Sequence, residues 1–186
     1  GYDRDLYPDV NWIDEITRDY AYSTRANMTV SGGSDFLRYS LVGAYFGERG
    51  ILEGDKTLPY DTGIKLNRYN MRANVDIDIT KTTTLGMNIG GYLQQRRGQN
   101  SSTDNTFGAA FLSPPFIHPT RYSDGTIPRI TKEGDSNNAW ALATQTGYYT
   151  TSTSQIQSLF TLEQNLKMVT QGLKACLLIN TDAAND

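Results

Sequence analysis

Residues 69–80, YNMRANVDIDIT, place Tyr69, Met71, Ala73, Val75, Ile77 and Ile79 in one register. Asn70, Arg72, Asn74, Asp76, Asp78 and Thr80 fall in the other. Alternation with period two predicts a strand with one apolar and one polar face. The same signature recurs. Ala26, Met28 and Val30 alternate with Asn27, Thr29 and Ser31. After the glycine turn SGGSD at 31–35, Leu37, Tyr39, Leu41, Gly43 and Tyr45 alternate with Arg38, Ser40, Val42 and Ala44. These two segments predict a hairpin. Residues 69–80 and 85–94, joined by a brief turn at Lys81–Thr84, predict a second. A third runs from about Thr153–Leu166 through a turn at Val169–Gly172 into Leu173–Asp182, with Ile156, Phe160, Leu162, Leu177 and Ile179 on its apolar side.

Between the hairpins lie two long stretches. Residues 49–65 are marked by Gly, Pro and Asp. Residues from about 95 to 152 hold SPPFIHP (113–119), the Asp124-Gly125 turn and EGDSNN (133–138). Before the first strand, Asn11 is placed to cap a short helix with Trp12, Ile13 and Ile16 as its apolar side and Asp14 in its first turn. The expected organisation is a connector over 1–23, two hairpins over 24–96, a long extracellular loop over 97–152 and a third hairpin over 153–186. The fold class is all-β, with about six antiparallel up-and-down strands.

Connections that run short, long, short, long, short match a transmembrane barrel, where periplasmic turns are short and extracellular loops long. Tyr45 and Tyr69 fall on the apolar face at the long-loop ends of their strands, where an aromatic girdle belongs. In a wide barrel the apolar register meets lipid. The polar register lines water, so Asn70, Arg72, Asn74, Asp76, Asp78 and Asn88 are the expected lumen-lining residues. A soluble antiparallel sheet also accepts one polar face, and a secreted β-sandwich ligand-binding module is the alternative reading.

Composition narrows this further. A net charge of -3 and a pI near 5.2 over 186 residues oppose nucleic-acid binding, which calls for a basic stripe. Twelve tyrosines suit interfaces, since the ring is apolar and the hydroxyl stays wet. The single cysteine, Cys176, excludes an internal disulfide framework. No apolar run reaches the roughly 20 residues of a membrane helix, which leaves strands free to span. A chain that opens on Gly1 is expected to be a processed or excised piece.

The segments YPDVNWIDEI, MTVSGGSDFLRYSLVGAYFGERGIL and RYNMRANVDIDITKTTTLGMNIGGYLQQR resemble consecutive parts of the SusC/RagA-like TonB-linked outer-membrane proteins of Bacteroidetes. LSPPF, YSDGTI and LEQNLKMVTQGLKA continue the resemblance in the same order. It implies part of a large plugged barrel in the bacterial outer membrane that imports glycan or peptide fragments. The implied partners are the remainder of the barrel and plug, a SusD-like surface lipoprotein, the TonB system acting through regions outside this chain, and outer-membrane lipid. Six strands fall short of a barrel of about 22, so the chain is expected to be a segment of a longer receptor.

Candidate chemistry is sparse, and no enzyme, cofactor or metal site is expected. His118 is the only histidine, and no G-x-S-x-G elbow accompanies it. Asp76 and Asp78 share a face at roughly 7 Å, a spacing that glycosidases use. Nothing in the sequence sets their pKa values apart, and solvated lumen charges beside Arg72 are the plainer reading. Cys176 is expected to fill space, and the arginines of QQRR (94–97) to lie at a solvated rim. Phe116, His118, Tyr122, Trp140, Tyr148 and Tyr149 are the candidates for ligand or partner contact within the 113–149 region.

Overall fold

The structure, a computed structural model, describes residues 3–128 and 138–185. It contains six strands: β1 (Tyr22–Gly33), β2 (Leu37–Arg49), β3 (Lys65–Thr80), β4 (Thr83–Gln99), β5 (Tyr148–Asn165) and β6 (Lys174–Asn185). Three helices accompany them: α1 (Trp12–Ile16), α2 (Thr103–Leu112) and α3 (Ala139–Thr144). The strands form one sheet in the order β1-β2-β3-β4-β5-β6. It is an antiparallel up-and-down sheet that does not close on itself, as the alternation predicts.

Two compact units divide the chain. One contains Gly1–Ser23, Glu48–Leu66 and Arg96–Thr150; the other contains Thr24–Gly47, Asn67–Gln95 and Thr151–Asp186. The second, the sheet unit, holds the alternating segments. Its side-chain contacts confirm two unlike faces. Arg38 pairs with Asp78, and Thr84 donates a hydrogen bond to the same carboxylate at 2.8 Å. Arg25 stacks over Phe46 and Arg68 over Tyr92. All of these belong to the polar register. On the opposite face the Tyr45 and Tyr69 rings lie 5.2 Å apart, and the Tyr45 hydroxyl donates to Asn67 Oδ1. Between β5 and β6, Leu162 sits opposite Leu177, Phe160 opposite Ile179 and Ser158 opposite Thr181. Leu177 and Ile179 therefore share the apolar face with Phe160 and Leu162. At Gly91 the backbone of β5 comes so near that a Cβ would stand 2.6 Å from the Gln155 carbonyl oxygen, so β4 and β5 close up only with glycine there.

The first unit, the loop unit, buries a small helical core. Trp12 and Ile16 of α1, Leu52, Ala109 and Ala110 of α2, and Ala139 and Ala143 of α3 are its buried apolar members. Alanine at the contact positions lets short helices approach closely. The Trp12 Nε1–H donates to the Pro114 carbonyl at 3.2 Å. The Arg18 and Glu53 N–H groups tie the end of α1 to residues 51–53 through Ile51 and Ile16 carbonyls. The starts of α2 and α3 follow capping chemistry. Ser102 accepts from the Asn105 N–H, and Asn138 accepts from the Ala141 N–H while its amide donates to the Thr120 carbonyl.

Several boundaries differ from expectation. Asn11 occupies the N-cap of α1 but makes no side-chain cap bond; its amide donates instead to the Asp14 carboxylate at 2.6 Å. The first hairpin turns at 34–36, since β1 continues through the glycines to Gly33. β3 starts at Lys65, β4 runs on to Gln99 and β5 starts at Tyr148. These ends lack apolar alternation, yet backbone pairing extends through them, and side-chain pattern does not report backbone pairing. The 97–152 stretch also holds α2 and α3, too short to show a clear helical period. The Asp124-Gly125 turn is present, with Gly125 at φ 88. Residues 133–137 of EGDSNN lie outside the described residues. Cys176 is exposed on β6 and fills no core.

Candidate functional site

In the sheet unit the expected lumen residues share one face. Asn70 and Arg72 of β3 border a concavity of about 420 Å³ with Arg68, Tyr92, Gln155 and Gln157, over a floor of Val42, Ala44 and Gly90. Only small side chains at the floor positions leave this space open. Asp76 and Asp78 lie farther along β3. Asp78 is held by Arg38 Nη1 at 2.7 Å and Nη2 at 3.2 Å, so Arg38, and not the expected Arg72, is its cationic neighbour. A carboxylate fixed in a two-pronged ion pair is not poised for acid–base work. Among the described residues no group of three or more His, Cys, Asp or Glu is arranged to hold a metal ion. Sequence reading missed Arg25, Arg68, Tyr92, Gln155 and Gln157. Their register was legible, but which strands bring them together was not.

The loop unit treats its candidate contact residues unequally. His118 is buried, with its ring edge-on to Trp12 at 5.0 Å and Nδ1 3.0 Å from the Pro119 carbonyl. It packs inside the unit, although the sequence placed it among the candidates for ligand or partner contact. Trp140 lies under the Arg121 guanidinium at 4.9 Å. Tyr148 packs between Arg97 at 4.1 Å and Tyr60 at 5.5 Å. Tyr149 lies beneath Arg96, and both tyrosines belong to β5. Tyr122 closes the turn that holds Gly125. Of the six, Phe116 is the one that stands free, 73% exposed. Phe111 and Leu112 of α2, and Ile117, are exposed beside it in sequence and were not anticipated.

Asp55 organises the polar part of this unit. Burial pushes its carboxyl upward, but the Thr57 N–H and hydroxyl, the Gln145 amide and the Arg121 guanidinium outweigh that and hold it below its ordinary value of 3.8. Arg121 Nη2 and Gln145 Nε2 reach the same oxygen at 2.9 and 3.0 Å. Asp61 is likewise lowered against a burial penalty, by Lys65, the Gly63 N–H and Arg97. Hydrogen bonds from Thr126 lower Asp124.

Comparison with known proteins supplies the context. Over 141 residues the chain is 29% identical to TonB-dependent receptor P3 of Formosa agariphila, a match that covers 73% of this chain and 13% of that receptor. This likeness supports a relationship to TonB-dependent receptors. The chain thus spans about an eighth of the relative's length. No family model matches the sequence. The relationship points to the outer membrane. Among the described residues no helix is long and apolar enough to cross a membrane, which leaves the strands unconstrained.

Proposed function

We propose that the chain is a wall segment, with attached loops, of a SusC-like TonB-dependent importer of glycan or peptide fragments. The observation that carries this reading is the apolar face of the sheet unit. Met28, Met71, Ile156 and Ile179 are 68, 75, 59 and 53% exposed. An unpaired apolar surface of this kind calls for lipid or another layer. A sandwich would supply a second sheet, but all six described strands lie in one, so the soluble module is not favoured. Strands of 12 to 18 residues exceed the 9–11 or so that cross a bilayer. The edges β1 and β6 are exposed throughout, and in lipid they require pairing with further strands.

In this reading the polar face lines the lumen, with Asn70, Arg72, Asn74, Asp76, Asp78 and Asn88 among its residues. Phe116 and its exposed apolar neighbours offer contact to cargo or to a SusD-like lipoprotein. The TonB system acts through other parts of the receptor. The test is cysteine labelling in cells that make the intact receptor, after Cys176→Ser. Met71→Cys is expected to react with a lipid-soluble maleimide and to resist an impermeant one, while Asn74→Cys shows the reverse. Equal reaction of both positions with the impermeant reagent would reject the barrel-wall assignment.

A further inference from the structure

Charge on the polar face of the sheet unit is segregated. Near the short turns, cations are matched: Arg38 with Asp78, and Lys174 with Glu163 across β5 and β6. Toward the other ends of the strands, Arg25, Arg68 and Arg72 form no ion pair among the described residues. These three arginines border two adjoining concavities, of about 420 and 290 Å³, that share Ala44, Arg68 and Asn70. Neither has an aspartate or glutamate among its lining residues.

The guanidinium groups are positioned as well as concentrated. Arg68 lies 4.3 Å from the Tyr92 ring centroid, and its Nε donates to Asn70 Oδ1 at 3.2 Å. Arg25 stacks over Phe46 at 5.0 Å. Arg72 runs past Gly90, its Nε 3.7 Å from where a Cβ would stand. Stacking restrains a guanidinium plane and leaves its N–H edge free to donate. Gln155 and Gln157 add amide donors and acceptors to the same wall. Asp182 of β6, opposite Gln157, lies one strand beyond this wall and is not among the lining residues. Like charges gathered with no ion-pair partner raise the local positive potential and concentrate anions.

We infer that this groove binds an anionic solute presenting carboxylate groups, the chemistry of an acidic oligosaccharide or an acidic peptide. Guanidinium forks engage such planar or trigonal oxygen sets with paired hydrogen bonds. The inference rests on the importer reading and adds the cargo's charge to it. Near the short turns the cations are matched by Asp78 and Glu163, with Asp76 beside Arg38 as a further carboxylate, so selection for anions falls to the three arginines.

The experiment uses the intact receptor, purified in detergent, and isothermal titration with tetragalacturonate, tetraglutamate and neutral maltotetraose. At least one acid is expected to bind more tightly than the neutral probe, with affinity that falls as salt rises. Arg68→Gln and Arg72→Gln are each expected to weaken that acid about tenfold or more. Arg25→Gln should act in the same direction, and the receptor's heat-modifiable gel mobility should be unchanged. Which acid binds identifies the source of the anion. Equal affinity for the neutral probe, or an acid affinity that the substitutions leave intact, would overturn the inference. So would variants that only unfold the receptor, because the arginines would then be holding a neighbouring segment of it. TonB-dependent uptake by whole cells separates the two failures. Uptake of neutral oligosaccharides or peptides without acid preference leaves the importer standing and removes the anion site. Absence of any TonB-dependent uptake removes the importer too.

Discussion

The two units use apolar residues in opposite ways. In the loop unit Ile16 and Leu52 are fully covered and alanines of α2 and α3 close over them. In the sheet unit Met71, Ile79, Ile156 and Leu177 stand open to the surroundings. Both units contain apolar residues, so their presence does not separate them. Period does. Residues alternating every two positions along extended strands turn their apolar members to one side, where no described layer meets them. Irregular segments with brief helical turns gather theirs into a cluster. The first arrangement is stable where the solvent on that side is itself apolar; the second satisfies its apolar groups in water.

The comparison breaks most severely at the loop-unit core. Ile16→Ala removes a side chain with no exposed surface and is expected to cost about 2–5 kcal/mol. Limited proteolysis of the intact receptor should show new cleavage within 96–128 or 138–150, with the strands of the sheet unit still protected. Loss of protection throughout would mean that the units do not differ in what stabilises them.

A somewhat smaller effect is expected on the sheet. Val75→Arg places a charge on the apolar face near the middle of β3 and should cost about 2–4 kcal/mol in a bilayer. Asn74→Arg, one residue away on the polar face, should be near neutral. Heat-modifiable mobility of the membrane-inserted receptor measures both. Similar behaviour of the pair would mean that the two faces meet the same solvent, and the contrast with the loop unit would disappear.

The mildest effect is on pH dependence, and it sharpens the comparison. Asp55, Asp61 and Asp124, all in the loop unit, are held below their ordinary value of 3.8. A carboxyl lowered in the folded state contributes stability that is complete above the unfolded value and lost as pH falls through the folded one. Resistance of 96–128 and 138–150 to an acid-active protease should therefore hold from neutral pH down to about 4–5 and decline below that. Asp55→Asn should flatten part of the decline. An unchanged acid profile would show that the Arg121 and Gln145 contacts contribute little.

The loop unit also marks where sequence reading stopped. His118, beside Pro119 in the long loop, was a candidate for ligand or partner contact. It is buried because Trp12, more than a hundred residues earlier, supplies a ring to pack against. Tyr148 and Tyr149 read as loop aromatics because polar threonines and serines follow them. Backbone pairing carries β5 to Tyr148, and Arg96 and Arg97 cover their rings. Phe116 was legible as a candidate contact aromatic; Phe111 and Leu112 were not, since the helix that presents them lies in a stretch read as loop.

Alternation by itself determined the six strands, their faces and the sorting of short and long connections, because side-chain direction in a strand depends only on position modulo two. It also placed Asn70, Arg72, Asn74, Asp76, Asp78 and Asn88 in polar registers. Tertiary structure decided which of those residues meet. Asp78 finds Arg38, forty residues away, and Arg68, Tyr92 and Gln155 come from three different strands to border one groove. Cross-strand neighbours depend on register and on strand ends, and both are fixed by backbone hydrogen bonds that every residue except proline can make.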